Sequence, residues 1–84
     1  MSDLEYDVLD ELYFVQSYPG LLDSTGFEED LLNKVLKKLL TKKWIRCLSN
    51  QTEEIPDEEL DFEKDFRHIF YLATKEGLLA HNSQ

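Results

Sequence analysis

The sequence predicts a small α+β domain with a core of three helices, a β-hairpin and a short C-terminal helix. Three observations carry that expectation. Apolar residues recur at helical spacing through residues 3–16 and again through residues 27–42. The stretches Trp44-Ile45-Arg46-Cys47-Leu48 and Ile69-Phe70-Tyr71-Leu72 are rich in β-branched and aromatic residues, as strands are. The tail from Thr74 to His81 opens on a residue suited to capping a helix.

In the first helix, Leu4, Val8, Leu12 and Val15 form an apolar stripe joined by Leu9, Tyr13 and Phe14. Asp3, Glu5, Asp7, Asp10 and Glu11 fill the other side. Ser2 or Asp3 can cap it, and acidic residues in the first turn suit the positive end of the helix dipole. Ser17-Tyr18-Pro19-Gly20 breaks the pattern, because proline has no backbone donor and restricts the residue before it. A short helical turn follows over roughly 20–24, closed by Thr25-Gly26.

The third helix is expected over 27–42. Phe27, Leu31, Leu32, Val35, Leu36, Leu39 and Leu40 share one face, and Asp30, Asn33, Lys34, Lys37 and Thr41 point away, with Lys38 at the boundary. The strand 44–48 comes next, and 49–59 reads as an exposed loop. Residues 60–72 fit two patterns. Leu60, Phe62, Phe66, Phe70 and Leu72 alternate as in a strand, whereas Phe62, Phe66, Ile69 and Phe70 also fit a helical stripe. Strand is favoured for 66–72, paired with 44–48. A last helix follows over 75–81, with Gly77 inside it at a cost of about 1 kcal/mol relative to alanine.

The chain has 84 residues, which is expected to form one domain, 1–84, burying roughly 60–65% of the surface its unfolded form exposes. It is 42% hydrophobic, with enough aromatic residues to supply a core. One cysteine cannot make an internal disulfide, and the N-terminal segment lacks the basic and apolar regions of a secretion signal, so a reducing, cytoplasmic setting is expected. No apolar stretch approaches the ~20 residues that span a bilayer, so no membrane role is expected.

The formal charge of −9 opposes generic attraction to nucleic acid or to an anionic membrane. That charge is unevenly distributed. Residues 1–27 carry six acidic and no basic side chains, residues 34–46 carry six basic and no acidic ones, and residues 53–65 carry eight acidic residues opposed only by Lys64.

The order helix, short helix, turn, longer helix, strand, loop, strand, helix resembles a winged helix-turn-helix domain over roughly residues 3–81. The resemblance is carried by Leu21-Leu22-Asp23-Ser24-Thr25-Gly26-Phe27, similar to the second helix and turn, and by Leu36-Lys37-Lys38-Leu39-Leu40-Thr41-Lys42-Lys43-Trp44-Ile45, similar to the third helix entering the first wing strand. Tyr71-Leu72-Ala73-Thr74-Lys75-Glu76-Gly77 is similar to the exit from the wing. The chain departs from the family in having Lys43 where glycine is usual, and in the length of the segment between its two wing strands.

The resemblance implies a contact face on the third helix, which in DNA-binding relatives lies in the major groove. By position that face is Asn33, Lys34, Lys37, Lys38 and Thr41, with Asp30 at its leading end and Arg46 nearby on the strand. The competing reading is that lysines late in a helix offset its negative end and keep the surface soluble. Glu28-Glu29-Asp30 at the start of that helix, and the acidic run 53–65 where related wings approach phosphates, count against DNA. The expected partner is therefore another protein, with a DNA-binding transcriptional regulator as the alternative.

No catalytic constellation stands out, and neither an enzyme activity nor a cofactor is expected. The acidic run lacks the order of a calcium loop, and His68 and His81 lack zinc spacing. They read as a strand histidine and a surface histidine. Cys47 reads as a small buried hydrophobe. Tyr18, Phe62 and Tyr71 are the aromatic residues expected to be exposed.

Overall fold

The computed structural model describes residues 1–83 as a small α+β, winged-helix-like domain. Helices α1 (Asp3–Glu11), α2 (Tyr18–Thr25) and α3 (Glu29–Thr41) form the three-helix core. Strands β1 (Gln16–Ser17), β2 (Ile45–Leu48) and β3 (Phe70–Ala73) form an antiparallel sheet in the order β1-β3-β2. A short helix α4 (Phe62–Asp65) precedes β3, and α5 (Lys75–Asn82) follows it.

Local chemistry sets most boundaries. Ser2 accepts from the Glu5 N–H while the Glu5 carboxylate accepts from the Ser2 N–H, a capping box that starts α1. Ser17 caps α2 through the Gly20 N–H, with Pro19 in the first turn where its missing donor costs nothing. Gly26 closes α2 at φ 71°, a left-handed conformation that glycine adopts freely. Thr74 caps α5 through the Gly77 N–H.

α3 ends in a Schellman arrangement, the Trp44 N–H reaching the Leu39 carbonyl and the Lys43 N–H that of Leu40. The left-handed residue that this motif needs is Lys43, at φ 62°. Lys43 thus holds a backbone conformation that glycine adopts freely.

The first helix is shorter than its apolar pattern predicts. It stops at Glu11, and the chain meets β3 instead at two places: the Leu12 carbonyl accepts from Ala73, and Gln16 and Ser17 lie opposite Tyr71 and Phe70. The expected strand over 66–72 is also corrected. Phe62 to Asp65 is helical, and β3 begins only at Phe70. The helical stripe wins there because Phe62 and Phe66, one turn apart, stack with ring centres 5.6 Å apart, and Phe66 meets the Tyr18 ring edge-on at 5.1 Å. The Tyr71 hydroxyl then donates to the Phe66 carbonyl and closes the turn into β3.

Residues 49–59 are mostly exposed, as expected of a loop, and carry turns and a bridge of their own. Asn50 Oδ1 accepts from the Thr52 and Glu53 N–H groups, turning the chain back so that Ile55 donates to the Cys47 carbonyl and Glu54 bridges Leu48. This return lies along the edge of β2, and a 3-10 turn over Asp57–Glu59 carries the chain toward α4.

The core draws on every layer: Val8, Leu9 and Leu12 from α1, Tyr18 and Leu21 from α2, Leu32, Val35, Leu36 and Leu39 from α3, and Ile45, Cys47, Tyr71 and Ala73 from the sheet. Tyr18 and Tyr71, expected to be exposed, are fully buried, and Phe62 is half-buried. Burial is tolerable because each tyrosine hydroxyl has a partner, Tyr18 donating to Asn33 Oδ1 at 2.6 Å and Tyr71 to Phe66. The exposed large apolar side chains are instead Phe14 (79%), Leu79 (58%), Tyr13 and Leu4 (37%).

Candidate functional site

The basic residues singled out from the sequence lie on α3 and β2, and the acidic segment folds back onto two of them, Lys37 and Arg46. Arg46, pointing outward from β2, pairs with Glu54 at 3.1 Å across the returning chain. The Lys43 ammonium lies 4.0 Å from Asp57. Lys37, midway along α3, pairs with Glu63 of α4 and has its Nζ 6.0 Å from the Phe62 ring centre. Three carboxylates from the 53–65 run thus meet three cations of the third-helix and wing surface.

These pairs are exposed, and each adds little stability, about 0–1 kcal/mol. Their effect is on the surface potential. A carboxylate within contact distance of an ammonium cancels the field that the cation would present to a phosphate, and a Debye length of ~8 Å at physiological salt does not screen at that range.

The remaining members of the predicted face have separate fates. Asn33 is half-buried, its amide oxygen held by Tyr18, and Thr41 donates its hydroxyl to the Lys37 carbonyl on its own helix. Lys34 and Lys38 are exposed and have no ion-pair partner among the described residues. At the leading end of α3, Glu29 is bound by Arg67 at 2.9 Å, and the Arg67 guanidinium lies 4.6 Å from the Phe66 ring centre. Burial first, and then the nearby Glu29 charge, raise the Tyr18 phenol above its ordinary pKa.

Two clusters were not foreseen. The first joins the helix ends: the Glu5 carboxylate, only 4% exposed, accepts from Lys42 Nζ at 2.7 Å and from the Ser2 N–H and hydroxyl. Burial pushes the Glu5 pKa up, but Lys42 and the Ser2 donors outweigh it and hold the carboxyl below 4.5. Lys42 also lies 4.6 Å from the Trp44 ring centre. The capping signature Ser2-Asp3-Leu4-Glu5 is visible in sequence, but its link to Lys42 is not.

The second cluster surrounds His81, which is 7% exposed and not the surface residue expected. Its ring stacks on Tyr6 at 4.1 Å, Nδ1 is 2.8 Å from the Tyr13 hydroxyl, and Nε2 is 3.4 Å from Asp10 Oδ1. The Tyr13 hydroxyl also donates to Asn82. These contacts fasten α5 to α1. His68, expected in a strand, lies exposed in the turn before β3.

Cys47 is buried in β2 as expected, and burial together with the nearby Asp57 charge pushes its thiol up to about 12. The same burial raises the Tyr71 phenol well above its ordinary value.

A hollow of about 460 Å³ lies between the wing and the start of α5. Its rim mixes Lys43, Arg46 and Lys75 with Glu54, Asp57 and Glu76, so it carries no net formal charge and offers no preference for an anion. No described helix is long and apolar enough to cross a membrane. Comparisons of the chain with protein-family models, with curated proteins and with solved structures returned no match.

Proposed function

We propose that this chain is a small, acidic, non-enzymatic module of the winged helix-turn-helix type that acts by contacting another protein, in a regulatory role within the cytoplasm. The observation that carries this reading is the pairing of Lys37, Lys43 and Arg46 with Glu63, Asp57 and Glu54. Cations that a DNA-binding relative would offer to phosphates are answered here from within the chain. Phosphate neutralisation and counterion release supply most of non-specific DNA affinity, and each internal pair subtracts from that term. A net charge of −9 works in the same direction.

A second reading, a DNA-binding regulator, is favoured by Lys34 and Lys38, which face solvent without a carboxylate partner among the described residues. Chemical crosslinking and affinity capture in lysate separate the two readings when run beside a duplex DNA titration of the isolated protein. A specific captured protein with no duplex binding supports protein contact. Duplex binding with no captured protein overturns it.

A further inference from the structure

A groove runs between the first turn of α1 and the exposed flank of α3. Its floor is apolar, formed with Leu4 and Leu31, and Lys34 and Lys38 stand along its rim; it encloses about 270 Å³. A second hollow of about 490 Å³, bordered by Glu5 and Lys42, shares Lys37 and Lys38 with it. Four lysines line the two hollows; Lys37 and Lys42 are answered by Glu63 and Glu5, and Lys34 and Lys38 have no ion-pair partner among the described residues, a local positive pair in a chain of net −9.

We infer that this groove docks an acidic amphipathic helix of a partner protein, an assignment that rests on the protein-contact reading above. Lys34 and Lys38 are one helical turn apart on the same flank, a spacing that matches carboxylates one turn apart on a facing helix. The floor accepts the apolar stripe of the same ligand helix, the arrangement by which amphipathic helices lie in grooves. Leu4 is 37% exposed although it belongs to the apolar stripe of α1, so an apolar position is left uncovered beside Lys34 and Lys38, which have no ion-pair partner among the described residues.

Nucleic acid suits the groove less well. Among the described residues no arginine lines it to grip a phosphate with two donors, and no aromatic ring lines it to stack a base. The apolar floor would lie against a sugar-phosphate backbone with nothing to match.

The test is a residue-resolved NMR titration of the full chain at physiological salt with three probes. The first is a helical peptide with leucine on one face and glutamate on the other. The second is the same peptide with serine replacing leucine, and the third is a mixed-sequence DNA duplex. The expected result is saturable shifts at Leu4, Leu31, Lys34 and Lys38 with the first probe, and binding weaker by about tenfold or more with the second.

Lys34→Gln combined with Lys38→Gln weakens the first probe by about tenfold, as does Leu4→Ser, with thermal melts establishing that both variants fold. A silent groove, an equal response to the serine peptide, or a duplex that displaces the first peptide overturns the assignment. If the groove is silent while a captured partner still binds the double lysine variant, the groove fails and the protein-contact reading stands. Duplex binding with no captured partner removes both.

Discussion

Gly77 sits directly on the backbone of Trp44: a Cβ placed on Gly77 would press into the Trp44 carbonyl oxygen and lie 2.9 Å from its carbonyl carbon. That carbonyl also accepts the Thr74 N–H, and the Thr74 hydroxyl donates to the neighbouring Lys43 carbonyl, so α5 starts where the backbone leaves α3. Helix propensity alone makes Gly77→Ala stabilising by about 1 kcal/mol. The close approach reverses the sign. Gly77→Ala is expected to destabilise by at least about 2 kcal/mol in urea unfolding, because backbone cannot rotate away as a side chain can. Unchanged or raised stability would show that α5 does not dock there.

The Glu5–Lys42 pair gives a pH signature. The folded protein holds the Glu5 carboxyl below its ordinary 4.5, so folding favours the ionised form. Its contribution is therefore complete above that ordinary value and is lost as pH falls through the lowered folded value. Lys42→Met leaves a nearly buried carboxylate with the Ser2 donors alone, at an expected cost of about 1–3 kcal/mol at neutral pH. Stability curves of the variant and the parent should converge in acid. A constant gap between them from neutral pH into strong acid would contradict the assigned pair.

Lys43 adopts a conformation that suits glycine. Lys43→Gly relieves left-handed strain of roughly 1–2 kcal/mol and gives back part of it as unfolded-state entropy. A net gain of about 0.5–1 kcal/mol is expected, read as a higher midpoint in thermal or urea unfolding. A loss would mean that the contact with Asp57 outweighs the strain.

Cys47 is held in the core with its thiol pushed up to about 12, so hardly any thiolate forms near neutral pH. Thiol labelling of the native protein at pH 8 should be at least about a hundredfold slower than in denaturant, and should follow global unfolding. Rapid labelling of the folded protein would place β2 at the surface.

Much of the architecture could be read directly. The stripe Leu32, Val35, Leu36 and Leu39 marks α3 and Thr74 marks the start of α5, because each depends on neighbours close in sequence, and the residue types of Ile45 to Leu48 mark a strand although its partner is β3. What could not be read depends on distant partners. β1 is a strand only because β3 lies beside it, and the local Phe62–Phe66 stack that favours a helix is completed by Tyr18 and Tyr71, which are distant in sequence or in another element. Gly77 looked like a mild defect because its neighbour Trp44 is far away along the chain.

The candidate face was partly legible for the same reason. Helical spacing placed Lys34, Lys37, Lys38 and Thr41 on α3, but whether each cation is free depends on where residues 53–65 return, and only three-dimensional pairing decides that. The cluster around His81 joins opposite ends of the chain and that around Glu5 joins its start to its middle, and neither leaves a local signature of the joining.

The most direct measurement is a low-salt titration of the labelled protein with duplex DNA, in parallel with a variant carrying Glu54→Gln, Asp57→Asn and Glu63→Gln. Internal neutralisation predicts amide signals of the parent that do not move, and salt-sensitive shifts in the variant at Lys37, Lys43 and Arg46. Strong shifts at those residues in the parent itself, falling steeply with added salt, would contradict it.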